Sequence, residues 1–199
     1  MPLSLAALAL GAAPTAAATV AGSPRRFPDP RLVTQEGKEV RFYDDLVRGR
    51  VVMVNFAYTR CTGKCPLSTA RLVEVQRLLG QRFGRDVFHL TISLDPERDT
   101  PEAMRRYMAA HGGRPGWIWL TGAREDIDGI RRFLGVADRD PAVDADRARH
   151  TGLVLLGDDR TGRWSSMPAQ VRPELILEAL LRTAGERPPR QILTRACSP

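Results

Sequence analysis

Two cysteines separated by three residues are the side chains best suited to chemistry in this sequence. They stand in the run Cys61-Thr-Gly-Lys-Cys65-Pro66. Thiolates attack disulfides and bind soft metal ions such as copper(I). Cysteines four positions apart can lie on one face of a first helical turn, close enough to form a disulfide or to share a metal ion. The spacing therefore predicts a paired-thiol site for copper(I), for redox chemistry, or for both.

The surroundings of the pair favour reactive thiols over cysteines packed as small hydrophobic side chains. The preceding run Val51-Val-Met-Val-Asn-Phe56 is apolar except for Asn55 and does not alternate, which is typical of a central strand buried on both faces. Pro66 suits the first turn of a helix, where its missing N–H is no loss. A strand that leads into a helix places the thiols at the positive helix end, which favours the thiolate form.

Strands and helices that could position this pair alternate along the chain. Residues 32–42 predict two short strands around a Glu-Gly turn, which cover an edge of the sheet. Further strands are predicted at residues 87–93, 117–120, 153–156 and 163–167, and helices are predicted after Pro66, after Thr100, around residues 127–134 and at 175–181. This order predicts an α/β fold with a mixed central sheet flanked by helices and an N-terminal hairpin extension.

Composition indicates one compact domain and gives no sign of a nucleic-acid partner. The chain has 199 residues, of which 43% are hydrophobic, and a formal net charge of +7. Its cations are almost all arginine and are scattered among acids, whereas nucleic-acid binding needs clustered cations. Three cysteines are too few for a disulfide scaffold. We predict a domain at residues 32–184 after a linker at 23–31, followed by a flexible tail at 185–199 in which Cys197 is a free thiol.

Residues 1–22 predict a signal peptide or a membrane anchor. They carry no charged side chain and read as an apolar run followed by small residues, although the basic start of a secretory signal is missing. Pro14 and many small side chains make this segment a poor permanent transmembrane helix. The alternative is a disordered alanine-rich terminus. Because a secretory signal and a cysteine pair fit the same oxidising compartment, we expect an exported protein, either periplasmic or anchored on the outer face of the cytoplasmic membrane.

Three segments together carry a family resemblance. The runs Phe56-Ala-Tyr-Thr-Arg-Cys61-Thr-Gly-Lys-Cys65-Pro66, Ile92-Ser-Leu-Asp-Pro-Glu-Arg-Asp-Thr-Pro-Glu102 and Leu120-Thr-Gly122 closely resemble the SCO/SenC family. The resemblance extends over about residues 32–182. It implies a thioredoxin-like fold, export or membrane tethering, and a metallochaperone that delivers copper to the binuclear copper site of cytochrome c oxidase. The implied partner is the copper-bearing subunit of that oxidase or another copper or thiol protein.

The resemblance also implies a third copper ligand, His150, ahead of the strand that opens the final hairpin. Two thiolates and one imidazole make a soft site suited to copper(I) and compatible with copper(II). Relatives usually have Asp-His-Ser here, whereas this chain has Arg149-His150-Thr151, so a cation replaces an acidic neighbour of the imidazole. Of the other histidines, His89 lies inside a strand, where a hydrogen-bonded core role is favoured, and His111 follows a helix as a C-terminal cation.

Other residues that could take part in chemistry have simpler structural interpretations. Asp95 and Asp99 follow a strand end, where the sites of α/β sheets gather, but a helix cap at Asp99 or Thr100 is the simpler role. Four methionines fall on core positions and are expected to pack rather than to bind copper: Met53, Met104, Met108 and Met167.

Three functions differ in the residues that they require. A copper chaperone uses Cys61, Cys65 and His150, whereas a thiol–disulfide oxidoreductase that reduces a copper-acceptor protein uses only the redox-active pair. A peroxiredoxin-like peroxidase needs a proline in the approach to its cysteine, which residues 56–60 lack. Thioredoxins place a cis proline opposite the cysteines, and its absence from residues 149–152 favours metal binding. Chaperone and redox activities can coexist in one site. A disulfide between Cys61 and Cys65 would abolish the metal site, so copper loading would depend on the redox state of the pair. We expect a chaperone rather than an enzyme.

Overall fold

The computed structural model describes residues 27–146 and 152–188, and these residues form a mixed sheet with helices on both faces. The strands are β1 (Arg31–Thr34), β2 (Glu39–Arg41), β3 (Val51–Ala57), β4 (Val87–Ser93), β5 (Trp117–Thr121), β6 (Leu153–Asp158) and β7 (Arg163–Pro168). The helices are α1 (Cys65–Leu79), α2 (Pro101–Ala110), α3 (Arg124–Phe133), α4 (Pro141–Ala145) and α5 (Pro173–Thr183). The predicted α/β architecture with a mixed central sheet is confirmed.

The sheet has the order β2-β1-β5-β4-β3-β6-β7. Strand β4 runs parallel to both β3 and β5, and the other neighbouring strands pair antiparallel. A parallel pair needs a crossover, which α1 supplies between β3 and β4. Strands β6 and β7 form the predicted hairpin, which is followed by α5. This arrangement puts the start of α1 at the end of a central strand.

Strand β3 is the central element that leads into the cysteine pair. It lies between β4 and β6, and all of its side chains are buried. Met53 packs in the cluster that contains α1 and α5 residues, whereas Val52 and Val54 pack in the cluster on the opposite face, which contains α3 residues. Burial on both faces explains why the run is apolar without alternation, as the sequence predicted.

The N-terminal hairpin covers an edge of the sheet, as predicted. Strands β1 and β2 pair antiparallel around a turn in which Gly37 has a φ of 79°, a backbone conformation that glycine adopts at little cost. Strand β1 then pairs with β5 through Val33 opposite Thr121 and Thr34 opposite Leu120. Leu32 is fully buried and packs in the cluster that contains α3 residues.

Three short helical segments were not predicted: a π-helical turn at Phe42–Val47, a 3-10 turn at Gly80–Arg82 and helix α4. Each is too short to show a helical period in the sequence. Helix α4 is set by its cap, because the Asp140 side chain accepts a hydrogen bond from the Ala142 N–H at 2.9 Å. Helix α5 begins at Pro173, two positions before the predicted residue 175, because proline suits a first helical turn.

The predicted signal segment, residues 23–26 of the linker, His150 and residues 189–199 of the tail lie outside the described residues. The domain limits at residues 32 and 184 therefore remain predictions. Across residues 27–146 and 152–188, no helix is both long and apolar enough to cross a bilayer.

A buried polar network crosses the core beneath α1. His89 is 1% exposed, and its ring nitrogens Nδ1 and Nε2 each lie 2.9 Å from a partner, the Gln76 amide nitrogen and the Asn55 side-chain oxygen. Nδ1 therefore accepts and Nε2 donates, which defines a neutral tautomer. The ring also stacks on Trp117 with centroids 5.3 Å apart. The hydrogen-bonded core role predicted for His89 is confirmed.

We expect this buried histidine to make the fold acid-sensitive. Burial lowers the pKa of His89 from 6.5 to about 3. The unfolded chain binds this proton below pH 6.5 but the folded chain does so only near pH 3, so stability is lost as pH falls through that window, by about 2 kcal/mol at pH 5. Urea denaturation at pH 7 and pH 5 measures the loss. It should shrink in His89→Gln and persist in the control His111→Gln; the same pH dependence in all three proteins would contradict this account.

Candidate metal centre

The cysteine pair lies where the chain passes from β3 to α1, with Cys61 in the connecting loop and Cys65 at the first position of α1. Strand β3 ends at Ala57, and α1 begins at Cys65 with Pro66 in its first turn. Both thiols are free, and Cys61 is 7% exposed whereas Cys65 is 1% exposed. The Cys61 N–H donates to the Tyr58 carbonyl at 3.2 Å, which closes the loop locally. The predicted sequence of strand, cysteine loop and helix is therefore present.

The two thiols differ strongly in acidity. Burial raises the pKa of Cys61, but hydrogen bonds from the Cys65 thiol, from the backbone N–H groups of Cys65 and Gly63 and from Tyr58 outweigh burial and bring the pKa below 9.0. Burial raises the pKa of Cys65 to about 12, together with the hydrogen bond to Cys61 and repulsion by its charge. The pair therefore holds its negative charge mainly on Cys61, next to a protonated Cys65.

The start of α1 explains why a thiolate is stabilised here. Lys64 precedes the helix, and among the described residues no side chain caps that end or places an acid in the first turn. The first N–H groups of a helix lack partners within it and carry a partial positive charge. The Cys61 sulfur accepts from the Cys65 N–H and so takes the place that a capping carboxylate usually occupies.

Asp99 holds the cysteine loop against the sheet. Its carboxylate is 0% exposed and accepts hydrogen bonds from the Thr59 N–H at 3.2 Å, from the Thr59 hydroxyl at 2.6 Å and from the Ser93 hydroxyl at 2.6 Å. Thr59 stands two positions before Cys61. The second motif is therefore joined to the first by a buried charge-assisted contact, which sequence reasoning did not foresee.

The rest of the second motif forms a turn and a helix cap. Thr100 caps α2, because its side chain accepts from the Ala103 N–H at 3.2 Å. This is one of the two cap alternatives predicted; Asp99 does not serve as the cap. The Asp95 carbonyl accepts from the N–H groups of Arg98 and Asp99, each at 2.9 Å, and this turn directs the Asp99 side chain inward.

The third ligand implied by the resemblance, His150, lies outside the described residues, as does Cys197. The chain is described again from Gly152, whose carbonyl accepts from the Ala169 N–H at 2.8 Å. A Cβ atom at Gly152 would lie 3.6 Å from the Lys64 Cδ, so this segment runs beside the cysteine loop. In the part of the chain that the structure describes, no three His, Cys, Asp or Glu side chains could hold a metal together. The described site therefore consists of the two thiols.

The remaining candidate residues have structural roles. His111 is the C-cap of α2, with its Nδ1 atom 2.8 Å from the Tyr107 carbonyl oxygen and its ring stacked on Tyr107 at 4.0 Å, as its predicted position implied. All four methionines pack in or against the cluster between the sheet and helices α1 and α5, as predicted: Met53, Met104, Met108 and Met167.

Known proteins are similar to this chain in sequence. The family model described as SCO1/SenC matches residues 24–185. A protein of Stutzerimonas stutzeri named for copper binding is 31% identical over 80% of this chain and 76% of its own length. An SCO2-like protein of Rickettsia felis is 30% identical over 63% of this chain and 62% of its own length.

A solved structure confirms the thioredoxin-like fold. The structure of Bradyrhizobium japonicum ScoI with copper bound is similar to this chain with a TM-score of 0.61 and 32% sequence identity. The similarity covers 77% of this chain and 96% of that chain.

The asymmetry of the thiols predicts selective labelling. Cys61 has the lower pKa and the greater exposure, so iodoacetamide should modify Cys61 at least about tenfold faster than Cys65 at pH 7.5. Labelling of Cys61 should accelerate as pH rises towards its pKa, while Cys65 stays slow. Timed labelling with peptide mass spectrometry measures both rates in a Cys197→Ser background, in which Cys61 and Cys65 are the cysteines that remain to be labelled. Equal rates at the two cysteines would contradict the assigned acidities.

Removal of the Asp99 carboxylate should loosen the loop. Asp99→Ala leaves the Thr59 N–H and two hydroxyl groups without a buried acceptor, so we expect a loss of about 2–4 kcal/mol in unfolding free energy. Cys65 should also become more reactive with iodoacetamide. The matched control is Glu97→Ala, an exposed acid of the same motif that pairs with Arg124 at the surface, which should change stability by no more than about 1 kcal/mol. Equal effects of the two substitutions would refute the anchoring role.

Proposed function

This chain belongs to the SCO1/SenC family, and on that premise we propose that it binds copper through Cys61, Cys65 and His150. The observation that carries the proposal is the pair of free, buried and mutually hydrogen-bonded thiols at the start of α1. Two thiolates suit copper(I), and an imidazole completes a site that also accepts copper(II). The copper in the related ScoI structure and the name of the Stutzerimonas relative support this choice of metal.

The described residues fit copper as a cargo ion. Cys61 supplies a thiolate, whereas Cys65 must release the proton that its raised pKa retains, so loading liberates protons. His150 stands two positions before Gly152, and two residues span at most about 7 Å of chain. Because Gly152 runs beside Lys64, this short connection supports His150 as the third ligand that we propose.

We propose that the copper is delivered to the binuclear copper site of cytochrome c oxidase, in the periplasm or at the outer face of the cytoplasmic membrane. The proposed acceptor and the proposed location are both based on the family resemblance. A site with two thiolates and one imidazole leaves copper with few ligands, so an incoming ligand can add before an old one leaves. Delivery then proceeds by ligand exchange to the copper-bearing subunit or to another copper or thiol protein.

A second candidate function is reduction of a disulfide in the copper acceptor. Here the Cys61 thiolate would attack the acceptor disulfide, and Cys65 would then displace the second acceptor thiolate while losing its proton, so that the pair is oxidised as the acceptor is reduced. The activated Cys61 favours the first step. Burial of Cys65, which is 1% exposed, disfavours the second step, because burial raises the pKa of this thiol and so limits the thiolate that resolves the mixed disulfide. We therefore place copper binding first.

Copper titration followed by absorption spectroscopy tests the ligand set. In a Cys197→Ser background, the parent protein should bind a single copper ion per chain, and Cys61→Ser should lose it. His150→Ala should alter the copper(II) spectrum and weaken the affinity for copper at least about tenfold. Loss of a group that only hydrogen-bonds to a metal ligand already weakens metal affinity by that factor. His111→Ala is the matched histidine control. Unchanged spectrum and affinity in His150→Ala, combined with strong disulfide reductase activity, would remove the chaperone assignment.

A further inference from the structure

The two cysteine ligands are recessed, so a protein that exchanges copper with them has to dock. Cys61 is 7% exposed and Cys65 is 1% exposed. A ligand atom reaches these sulfur atoms only when its carrier lies against the surface around the cysteine loop. If the proposed function holds, the residues of that surface therefore indicate which chemical groups the partner presents.

An arginine-lined cleft lies directly beside the loop. It has a volume of about 370 Å³, and its lining consists of Thr59, Arg60, Arg98, Ala103, Arg106 and Tyr107. The loop contributes the first two of these residues, the second motif contributes Arg98, and α2 contributes the others. Each guanidinium presents paired N–H donors that match a carboxylate. We call this feature the arginine cleft.

The three arginines of the cleft retain most of their capacity to bind an anion. Arg60 makes no ion pair with any residue in the ranges 27–146 and 152–188. Arg98 lies 3.5 Å from the Asp95 carboxylate with its own side chain 59% exposed. Arg106 pairs with Glu102, and both side chains are exposed, at 68% and 67%. The exposed pair of Arg106 and Glu102 contributes little and is readily exchanged for a partner's carboxylate.

An exposed apolar side chain follows the pair in the first turn of α1. Leu67, in the first turn of α1, is 47% exposed and is the only large hydrophobic side chain classed as exposed within the described residues. Pro66 beside it is exposed as well. Protein interfaces commonly combine an apolar anchor with a charged rim, and arginine is enriched among their energetically important residues.

We propose that the arginine cleft and Leu67 form the docking surface for an acidic segment of the protein that exchanges copper with Cys61 and Cys65. Carboxylates of the partner enter the cleft while an apolar side chain covers Leu67. The inference rests on the proposed function and names the partner's chemistry. A protein fits better than an anionic membrane, because the cleft is concave and carries Glu102 on its rim, whereas lipid headgroups favour an uninterrupted basic surface.

Docking would place an acceptor thiolate against the bound copper(I). A bond from that thiolate to copper forms as a bond from Cys61 or Cys65 breaks, and copper keeps its oxidation state. The proton that the acceptor thiol gives up is taken by the cysteine that is released. No further reactant is required.

Copper transfer to synthetic peptides tests the charge preference. The probes are acetyl-Glu-Glu-Cys-Gly-Cys-Glu-Glu-amide and the same peptide with glutamine in place of each glutamate. Copper(I)-loaded protein is mixed with either peptide, and copper remaining on the protein is counted after rapid desalting. At low salt the acidic peptide should remove copper about tenfold faster than the neutral peptide, and 0.5 M NaCl should abolish the difference. Equal rates for the two peptides would overturn the proposal.

Charge reversal then assigns the preference to the cleft. Arg60→Glu and Arg106→Glu should each retain copper yet lose most of the preference for the acidic peptide. The control Arg132→Glu changes an exposed arginine of α3, which packs on the opposite face of the sheet, and should keep it. Loss of preference in all three variants would indicate a general charge effect and contradict the proposal.

A copper-independent measurement separates this inference from the proposed function. Fluorescence anisotropy of the dye-labelled acidic peptide should report binding to the metal-free protein, and Arg106→Glu and Leu67→Ser should weaken that binding several-fold. If the protein retains no copper but binds the peptide in this way, the proposed function fails and the docking surface stands. If vesicles containing phosphatidylglycerol bind the protein through Arg60 and Arg106 while the peptide does not bind, a membrane is the occupant and the inference is wrong.

Discussion

The hydrogen bonds from Thr59 to the buried Asp99 carboxylate are the contact on which the site depends. The loop before Cys61 has no regular structure, and its ends are fixed by β3 and α1. Asp99 fixes the first part of the loop, with two charge-assisted bonds to Thr59 and one to Ser93 at the end of β4. A buried carboxylate is tolerated only when its oxygens accept hydrogen bonds. Because the donors come from both the loop and the sheet, the loop and the sheet stabilise each other. Two distant sequence motifs are thereby one structural unit.

The chemistry of the pair follows from this fixed loop. Because Cys61 is held at the uncapped start of α1, the backbone N–H groups that a helix leaves unpaired stabilise its thiolate. Cys65 is one turn deeper and stays protonated until a cation replaces its proton. One thiol that is readily deprotonated and one that loses its proton only on metal binding suit a metal ion that is bound and then released. Both cysteine side chains are buried, so copper exchange requires a partner that docks. The arginine cleft, as part of the docking surface that we propose, favours a partner that presents carboxylates.

Sequence reasoning recovered the parts of this structure that follow from local patterns. The apolar run of β3, the proline in the first turn of α1 and the cap at Thr100 are each readable from neighbouring residues, and the order of elements gives the sheet. The role of Asp99 was missed, because its partner Thr59 is 40 positions away and nothing local distinguishes an anchoring acid from a capping acid. The arginine cleft was missed for the same reason, since Arg60, Arg98 and Arg106 meet only in the folded chain. Scattered charge in the sequence had indicated a mixed solvated surface.

X-ray absorption spectroscopy of the copper(I)-loaded protein tests the central claim most directly, because it identifies the atoms bound to the metal. The account predicts two sulfur neighbours and one nitrogen neighbour, with the nitrogen lost in His150→Ala and a sulfur lost in Cys61→Ser. A spectrum with sulfur alone that His150→Ala leaves unchanged would contradict the proposed ligand set.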